Sequence, residues 1–544
     1  MTLATHDNVI RYLSHWARVS PSKPALVFPR SVRPGGSIAY SQLSFEELED
    51  RVNRLAAALA SRGIGRGDAV VVMIPMSLEL YTLLLALLKL AAPIVFIDPW
   101  VGIDQIKRCI ALTSPKAFAG VPLIQLIGRA TGALSGIPLR ITARGPARFG
   151  EWQLERLIES GGPIVETTAV QADETALITF TTGSTGTPKG ANRTHGFLVA
   201  QHRALSRELG LTPEDVDLPA LPIFILNNLA SGVTSVVPLM KPSKPAAIDP
   251  GVIVRQIQDW GVTTAVGSPA YFAPIADHCL ERGLWLPTVR AVFTGGGPVP
   301  PGLLGKLRRV LPNGSAFVGY GSTEAEPVAL IEAAEACDET DALSEAGHGT
   351  CVGRLAHGIT ARIIRRIDGP ISLGARGWDD VELETGEVGE LVVTGEHVGK
   401  DYYRNPEAGR ENKIRDPEGI LWHRMGDVAY FDAQDRLWVV GRVNNAVQRG
   451  ERTLYPLQVE AIARQLPFVR HAALVGRPGA RAMLVVEASE PGALWRRGTW
   501  KQAVLAHMAA QGAPVDEVRF IRRMPLDPRH NAKIDHAKLQ RLLR

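Results

Sequence analysis

The feature that most constrains this chain is its alternation of amphipathic helical stretches with short, continuously apolar runs. "FEELEDRVNRLAAALASRG" (45–63) sets its apolar residues at helical spacing and stops at a glycine, and "DAVVVMIP" (68–75) then reads as a buried strand. The scheme returns in "VIVRQIQDWG" with "VTTAVGSP" (252–269), and in "VRAVFTGGG" with "LLGKLRRVLP". Helices alternating with buried strands predict α/β layers on largely parallel sheets. The most apolar window, "LYTLLLALLKLAAPIVFID" (80–98), invites a membrane reading, but Lys89 interrupts it and Pro93 divides it. A buried helix followed by a buried strand fits better.

From about 355 to 440 the pattern shortens to strands and turns, "TARIIRRI", "GELVVTG" and "RLWVVG", which predicts a small β-rich subdomain. After "GRVNNAVQRG" come "PLQVEAIARQLP", "VRHAALVG" and "AMLVVEA", the pattern of a compact α+β tail. A chain of 544 residues exceeds what one core usually supports, so we place a domain boundary at 441/442. The expected architecture is a large N-terminal domain (1–441) of layered α/β sheets with a β-rich subdomain, then a small mobile α+β lid (442–544). The acidic segment "EAAEACDETDALSEAG" (332–347) reads as an exposed, solvated insertion.

Charge is divided unevenly. From residue 441 onward there are eighteen Lys and Arg against eight Asp and Glu, while the rest of the chain is acidic by five. A basic tail suits an acidic partner or a polyphosphate held between domains. Without basic-aromatic interleaving or a zinc finger, nucleic acid is not the expected partner. Cys109, Cys279, Cys337 and Cys351 lie far apart with no C-x-x-C spacing, so neither a disulfide framework nor a zinc site is indicated. The N-terminal stretch lacks a basic region followed by an apolar core, and with the cysteine usage this predicts a cytoplasmic protein with no transmembrane segment.

Residues 181–190, "TTGSTGTPKG", follow the apolar run "TALITF" and hold more small polar residues than a connector needs. Glycine lets backbone N–H groups approach a ligand, and successive N–H groups form a concavity for phosphate oxygens. Thr181, Thr182, Gly183, Ser184, Thr185, Gly186 and Lys189 are the candidate phosphate-binding residues. The spacing is not that of a Walker A loop: Pro188 stands where its second glycine belongs, and Gly190 where Ser or Thr belongs. A surface loop of small polar residues is the competing reading.

Four more stretches follow in order: "TGGGPVP" (294–300), "VGYGSTEAEPV" (318–328), "HRMGDVAYFDAQDRLWVVGR" (423–442) and "DPRHNAKIDHAKL" (527–539). With "TFTTGSTGTPKG" they resemble the adenylate-forming superfamily of acyl- and aryl-CoA ligases, peptide-synthetase adenylation domains and luciferases, over nearly the whole chain. The resemblance implies a carboxylate joined to the α-phosphate of ATP, with release of pyrophosphate, between a large domain and a rotating lid. It implies Mg²⁺ held by Glu324, the α-phosphate contacted by Thr323, and Tyr320 and Gly321 along the adenine. Gly295, Gly296 and Gly297 let backbone approach the base. Asp427 accepts the ribose hydroxyls, with Arg442 beside it, and Lys533 reaches in from the lid as a catalytic cation. Asn444 stands at the hinge, where the family usually has Asp or Lys. His195, in "THGFL", is expected to pack rather than act as a base.

Other departures cluster on thioester formation. "RGERTLYPLQVE" carries about one extra residue before its Tyr-Pro, "LPIFILNNL" (221–229) lacks a histidine often found there, and Ala532 replaces a glycine before Lys533. "DVDLPALPIF", "TSVVPLM", "GHGTCVG" and "HRMGDVAYFDAQDRLW" look most like the β-lactone synthetases of bacterial long-chain olefin pathways. That resemblance implies a β-hydroxy fatty acid whose own hydroxyl displaces AMP, and partnership with other lipid-pathway enzymes. The alternatives are a fatty acid–CoA ligase, with CoA or an acyl carrier as acceptor, and a non-catalytic acyl- or nucleotide-binding scaffold. Glu324 and Lys533 are both present, which counts against the scaffold.

Overall fold

The computed structural model describes residues 8–97, 101–147, 150–162, 164–180, 188–241, 245–300, 302–490, 497–526 and 534–543. Its α/β architecture follows from the local signals. Helix Phe45–Ala60 begins at a capping box, in which the Ser44 hydroxyl accepts from the Glu47 N–H and the Glu47 carboxylate accepts from the Ser44 N–H. Gly63 ends this turn with φ +80°. Helix Leu78–Lys89 is buried almost all round and feeds strand Ile94–Ile97. Lys89, the interruption in that apolar window, sends its ammonium to the Thr167 hydroxyl while its stem stays buried.

Two large sheets organise the chain. The first runs, in order, Trp152–Gln153, Leu139–Thr142, Ala117–Gly120, Val70–Met73, Ile94–Ile97, Thr175–Phe180 and Gly190–Thr194, parallel except for the last strand. Helices 45–60 and 78–89 pack on it through Leu48, Val52, Leu55, Leu80 and Leu83. Burying such side chains stabilises the layer by roughly 1.5–3 kcal/mol each.

The second sheet changes character midway. Strands Thr234–Val236, Val216–Pro219, Thr264–Gly267, Ala291–Gly295 and Ser315–Ser322 are parallel neighbours. Beyond Ser315–Ser322 every pairing toward Thr360–Ile364 is antiparallel. The β-rich region is therefore continuous with the parallel sheet. Strands Ala291–Gly295 and Ser315–Ser322 are parallel neighbours next to the change, and the carboxyl ends of parallel strands are the usual ligand position in such sheets.

The last hundred residues build a three-stranded sheet, Val469–Arg477, Arg481–Ala488 and Glu517–Ile521, covered by helices Pro456–Arg464, Arg497–Ala510 and His536–Leu543. Their buried clusters draw only on residues 447–543.

The acidic segment differs from its expected role as a solvated insertion. Ala333, Ala336 and Thr340 are buried, and its carboxylates pair with arginines: Glu335 with Arg354, Asp338 with Arg308, Glu339 with Arg436. Residues 344–348 then lie on helix Pro456–Arg464, where the Gln465 amide donates to the Glu345 carbonyl at 2.6 Å. Small residues at 333, 336 and 347 permit this packing, a signal that the run of acids hides.

Candidate active site

A tight hairpin sets Asp427 opposite Arg442. Strands Leu421–Phe431 and Leu437–Arg442 pair in that register, and Asp432 closes the turn. One of its oxygens accepts from the Gln434 and Arg436 N–H groups, the other from the Arg436 guanidinium and the Trp438 indole. Most of "FDAQDRLW" is thus turn chemistry that aligns the two strands. Asp427 is buried; the Tyr320 hydroxyl donates to one carboxylate oxygen at 2.6 Å and Arg442 to the other at 3.0 Å. Burial first, and the Asp427 charge second, push the Tyr320 pKa well above its ordinary value. Gly426, at φ +68°, leaves room for that guanidinium: a Cβ there would lie 3.2 Å from it.

The glycines sit where adjacent strands converge. Gly295 pairs with Gly319, and a Cβ on Gly295 would lie 2.5 Å from the Gly319 carbonyl oxygen. Gly296 and Gly297 form the bend that follows. A Cβ on Gly321 would meet the Ala325 carbonyl at 2.7 Å, which keeps the turn at Thr323 and Glu324 tight.

Three segments fix that turn. From strand Gly190–Thr194, Arg193 donates twice to the Thr323 carbonyl, at 2.9 and 3.2 Å. From residues 398–402, the Gly399 N–H donates to the Glu324 carbonyl at 2.7 Å, and the Tyr402 hydroxyl turns onto the Glu324 carboxylate. Burial, reinforced by Glu324, raises the Tyr402 pKa. From strand Lys413–Arg415, Lys413 donates to the Gly399 carbonyl. Burial pushes Lys413 down to about 8, against the opposing pull of Glu324 and Asp401. His423, across from Lys413, is driven well below its ordinary pKa by burial and by that ammonium, so it is neutral. Arg442 links the two halves, since its charge is felt alongside Asp427, Tyr320 and Glu324.

The structure brings Tyr320, Gly321, Thr323, Glu324, Asp427 and Arg442 to this cleft, with Gly295 and Gly296 at its edge. Lys189 stands beside it, ion-paired with Glu411 at 3.3 Å. Asn444 lies exposed in the turn Val443–Asn445 directly after Arg442. Thr181, Thr182, Gly183, Ser184, Thr185, Gly186 and Lys533 lie outside the described residues. His195 is 1% exposed with both ring nitrogens unpartnered among the described residues, and burial pushes its pKa down to about 4. Arg193, Tyr402 and Lys413 were not singled out from the sequence. Nothing in "GANRTHGF" or "ENKIRD" marks them, because their significance comes from pairings more than a hundred or tens of residues away.

Residues 13–403 match the family described as AMP-binding enzyme. The olefin beta-lactone synthetase of Xanthomonas campestris pv. campestris is 38% identical over 550 residues, covering 99% of this chain and 97% of that protein. The feruloyl-CoA synthase of an Amycolatopsis species is 29% identical, covering 86% and 84%. Among solved structures, an O-succinylbenzoate coenzyme A synthetase from Bacillus subtilis in complex with AMP shares the fold, with TM-score 0.75 at 19% identity over 97% of this chain and 98% of that one. The chain belongs to the AMP-binding enzyme family and is an adenylate-forming ligase that activates an acyl group.

Proposed function

We propose that this enzyme adenylates a hydrophobic β-hydroxy acid and that the acid's own hydroxyl then closes a β-lactone with release of AMP. The observation that carries the adenylation step is the joint placement of a braced carboxylate, Asp427, and a second carboxylate, Glu324, around Arg442. Asp427 has lone pairs left for a ribose diol, and Tyr320 beside it offers a flat surface for the base.

Magnesium fits the second carboxylate. Glu324 is half-buried and its backbone is held from two sides, while among the described residues no group of three His, Cys, Asp or Glu converges to cage an ion. A single carboxylate suits an ion that keeps phosphate oxygens among its ligands, and when bound it supplies neutralising charge. Arg193 and Gly399 hold Glu324 and Thr323 in place, Lys189 offers charge near the triphosphate, and Lys533 is assigned the transferring group.

In the first step a carboxylate oxygen of the acid bonds to the α-phosphorus and the bond to pyrophosphate breaks. In the second, the β-hydroxyl oxygen bonds to the acyl carbon, the acyl–phosphate bond breaks, and the hydroxyl proton leaves with AMP or to solvent. The tethered hydroxyl needs no second binding site, and proximity replaces a bimolecular encounter. Support comes from the similarity to a protein named olefin beta-lactone synthetase over nearly the full chain.

The second reading is thioester formation, favoured by the similarity to a protein named feruloyl-CoA synthase. Mass spectrometry of products from ATP, Mg²⁺ and a β-hydroxy acid, with and without CoA, separates the two. We expect a product one water lighter than the acid, formed equally well without CoA. An acyl-CoA formed only with CoA overturns the lactone.

A further inference from the structure

We propose that Lys413 is a positioning residue whose positive charge, linked to Glu324 through residues 398–402, keeps that carboxylate from capturing a divalent cation until ATP brings phosphate oxygens to share it. The inference rests on the magnesium role given to Glu324 above.

Lys413 is 8% exposed and lies in a strand paired with the buried Leu421–Phe431. A buried ammonium is costly unless it meets partners. Its hydrogen-bond partner is the Gly399 carbonyl, and Gly399 in turn donates its N–H to Glu324. Residues 398–402 therefore form a strap between lysine and carboxylate, tied to the next residue by the Ala325–Val398 bridge. The ammonium lies 5.7 Å from the ring centre of Tyr402, the side chain whose hydroxyl meets Glu324. The acidic charges Lys413 faces are Glu324 and Asp401.

A second buried cation acts on the same turn. Arg193, 6% exposed, faces Glu326 and Glu324 and grips the Thr323 carbonyl. Two buried cations thus act on one partly exposed carboxylate. A free divalent ion approaching Glu324 meets repulsion from both, and no group of three His, Cys, Asp or Glu converges to cage it among the described residues. An ion arriving on a triphosphate brings anionic ligands with it, and those same cations then favour the complex.

Manganese reports the effect directly, because its free aqua ion has a paramagnetic resonance signal that is lost on binding. The nucleotide-free wild-type protein, Lys413→Gln and Lys413→Arg are titrated with Mn²⁺ alone. Glutamine removes the charge and keeps an N–H donor, on a side chain one atom shorter than lysine. We expect Lys413→Gln to bind Mn²⁺ about tenfold more tightly than wild type, and Lys413→Arg to match wild type. No tightening in the glutamine variant, or equal tightening in the arginine variant, overturns the role. Should Lys413→Gln not fold, the wild-type protein decides alone. Mn²⁺ must bind the protein far better with α,β-methylene-ATP present than without, once the Mn²⁺ held by the nucleotide alone is subtracted in a protein-free titration, and equal affinity overturns the proposal. Acid-dependent ATP–pyrophosphate exchange is followed alongside. Its absence removes the adenylation reading, whereas exchange with unchanged Mn²⁺ affinity in Lys413→Gln removes only the function given to Lys413.

Discussion

Asp427 is occupied before any nucleotide arrives, which makes its contribution separable from that of its neighbours. Tyr320 and Arg442 each hold one of its oxygens. A hydrogen bond to a charged group is worth about 1.5–3 kcal/mol, so removing the carboxylate charge weakens ribose binding and leaves Arg442 without its partner. Asp427→Asn is expected to raise the KM for ATP by roughly tenfold in acid-dependent ATP–pyrophosphate exchange. Tyr320→Phe keeps the ring and frees a carboxylate oxygen, so its KM should stay within about threefold of wild type. An unaltered KM in Asp427→Asn would show that the ribose sits elsewhere. These residues were legible because they stand in local motifs: a β-turn rich in Asp, or a glycine-spaced strand end. Arg193, Tyr402 and Lys413 act on Glu324 across 131, 78 and 89 positions of sequence, and no local pattern announces a cation that is needed only when a distant carboxylate folds beside it.

At the scale of elements, helix Pro456–Arg464 carries an unusual burden. Glu460 is 5% exposed and accepts from the Leu474 N–H at 3.2 Å. Burial pushes its carboxyl up to about 7, opposed by Arg464. The folded pKa lies above the unfolded one, so the native helix binds the extra proton between the two values. Its stabilising influence is complete below about pH 4.5 and is lost as the pH rises through about 7. Glu460→Gln keeps an acceptor without a charge. It should strengthen protection of the 456–488 amides in hydrogen exchange at pH 8 by roughly 3 kcal/mol and leave it nearly unchanged near pH 4. Equal protection at pH 8 would show that the carboxylate is solvated. The order of helices and strands was readable here and throughout because apolar spacing decides it. The segment 332–347 was misread because acids paired to arginines from distant strands look, in sequence, like acids paired to water.

The whole molecule divides its apolar interior unevenly, and that decides what can fold alone. The clusters of the first two sheets share residues from 10 to 439. By contrast, the clusters behind the three-stranded sheet use none before Val447. Contact between the two runs through residues 344–348 and strand Leu437–Arg442 on helix Pro456–Arg464, where Gly347 abuts Ile462, Gly441 abuts Pro456 and Leu457 packs against the cluster around Val328 and Leu437. Beside that contact lies a cleft of about 450 Å³ bounded by Val299, Leu304, Thr340, Leu457 and Arg464. The buried clusters of the C-terminal unit lie within it, and the cleft limits packing across the interface, so the unit draws most of its stability from its own core. A fragment of residues 442–544 is therefore expected to fold as a monomer and to unfold in urea in one cooperative step, with a slope of roughly 1–1.5 kcal/mol/M. Trp500 stacks on Phe468 with ring centres 4.8 Å apart, and gives the near-ultraviolet dichroism by which the transition is followed. A fragment that lacks this signal while keeping helical far-ultraviolet dichroism would be a collapsed chain without native packing. The boundary at 441/442 would then mark only a bend in one larger domain, with helix Pro456–Arg464 dependent on residues 344–348 for its fold.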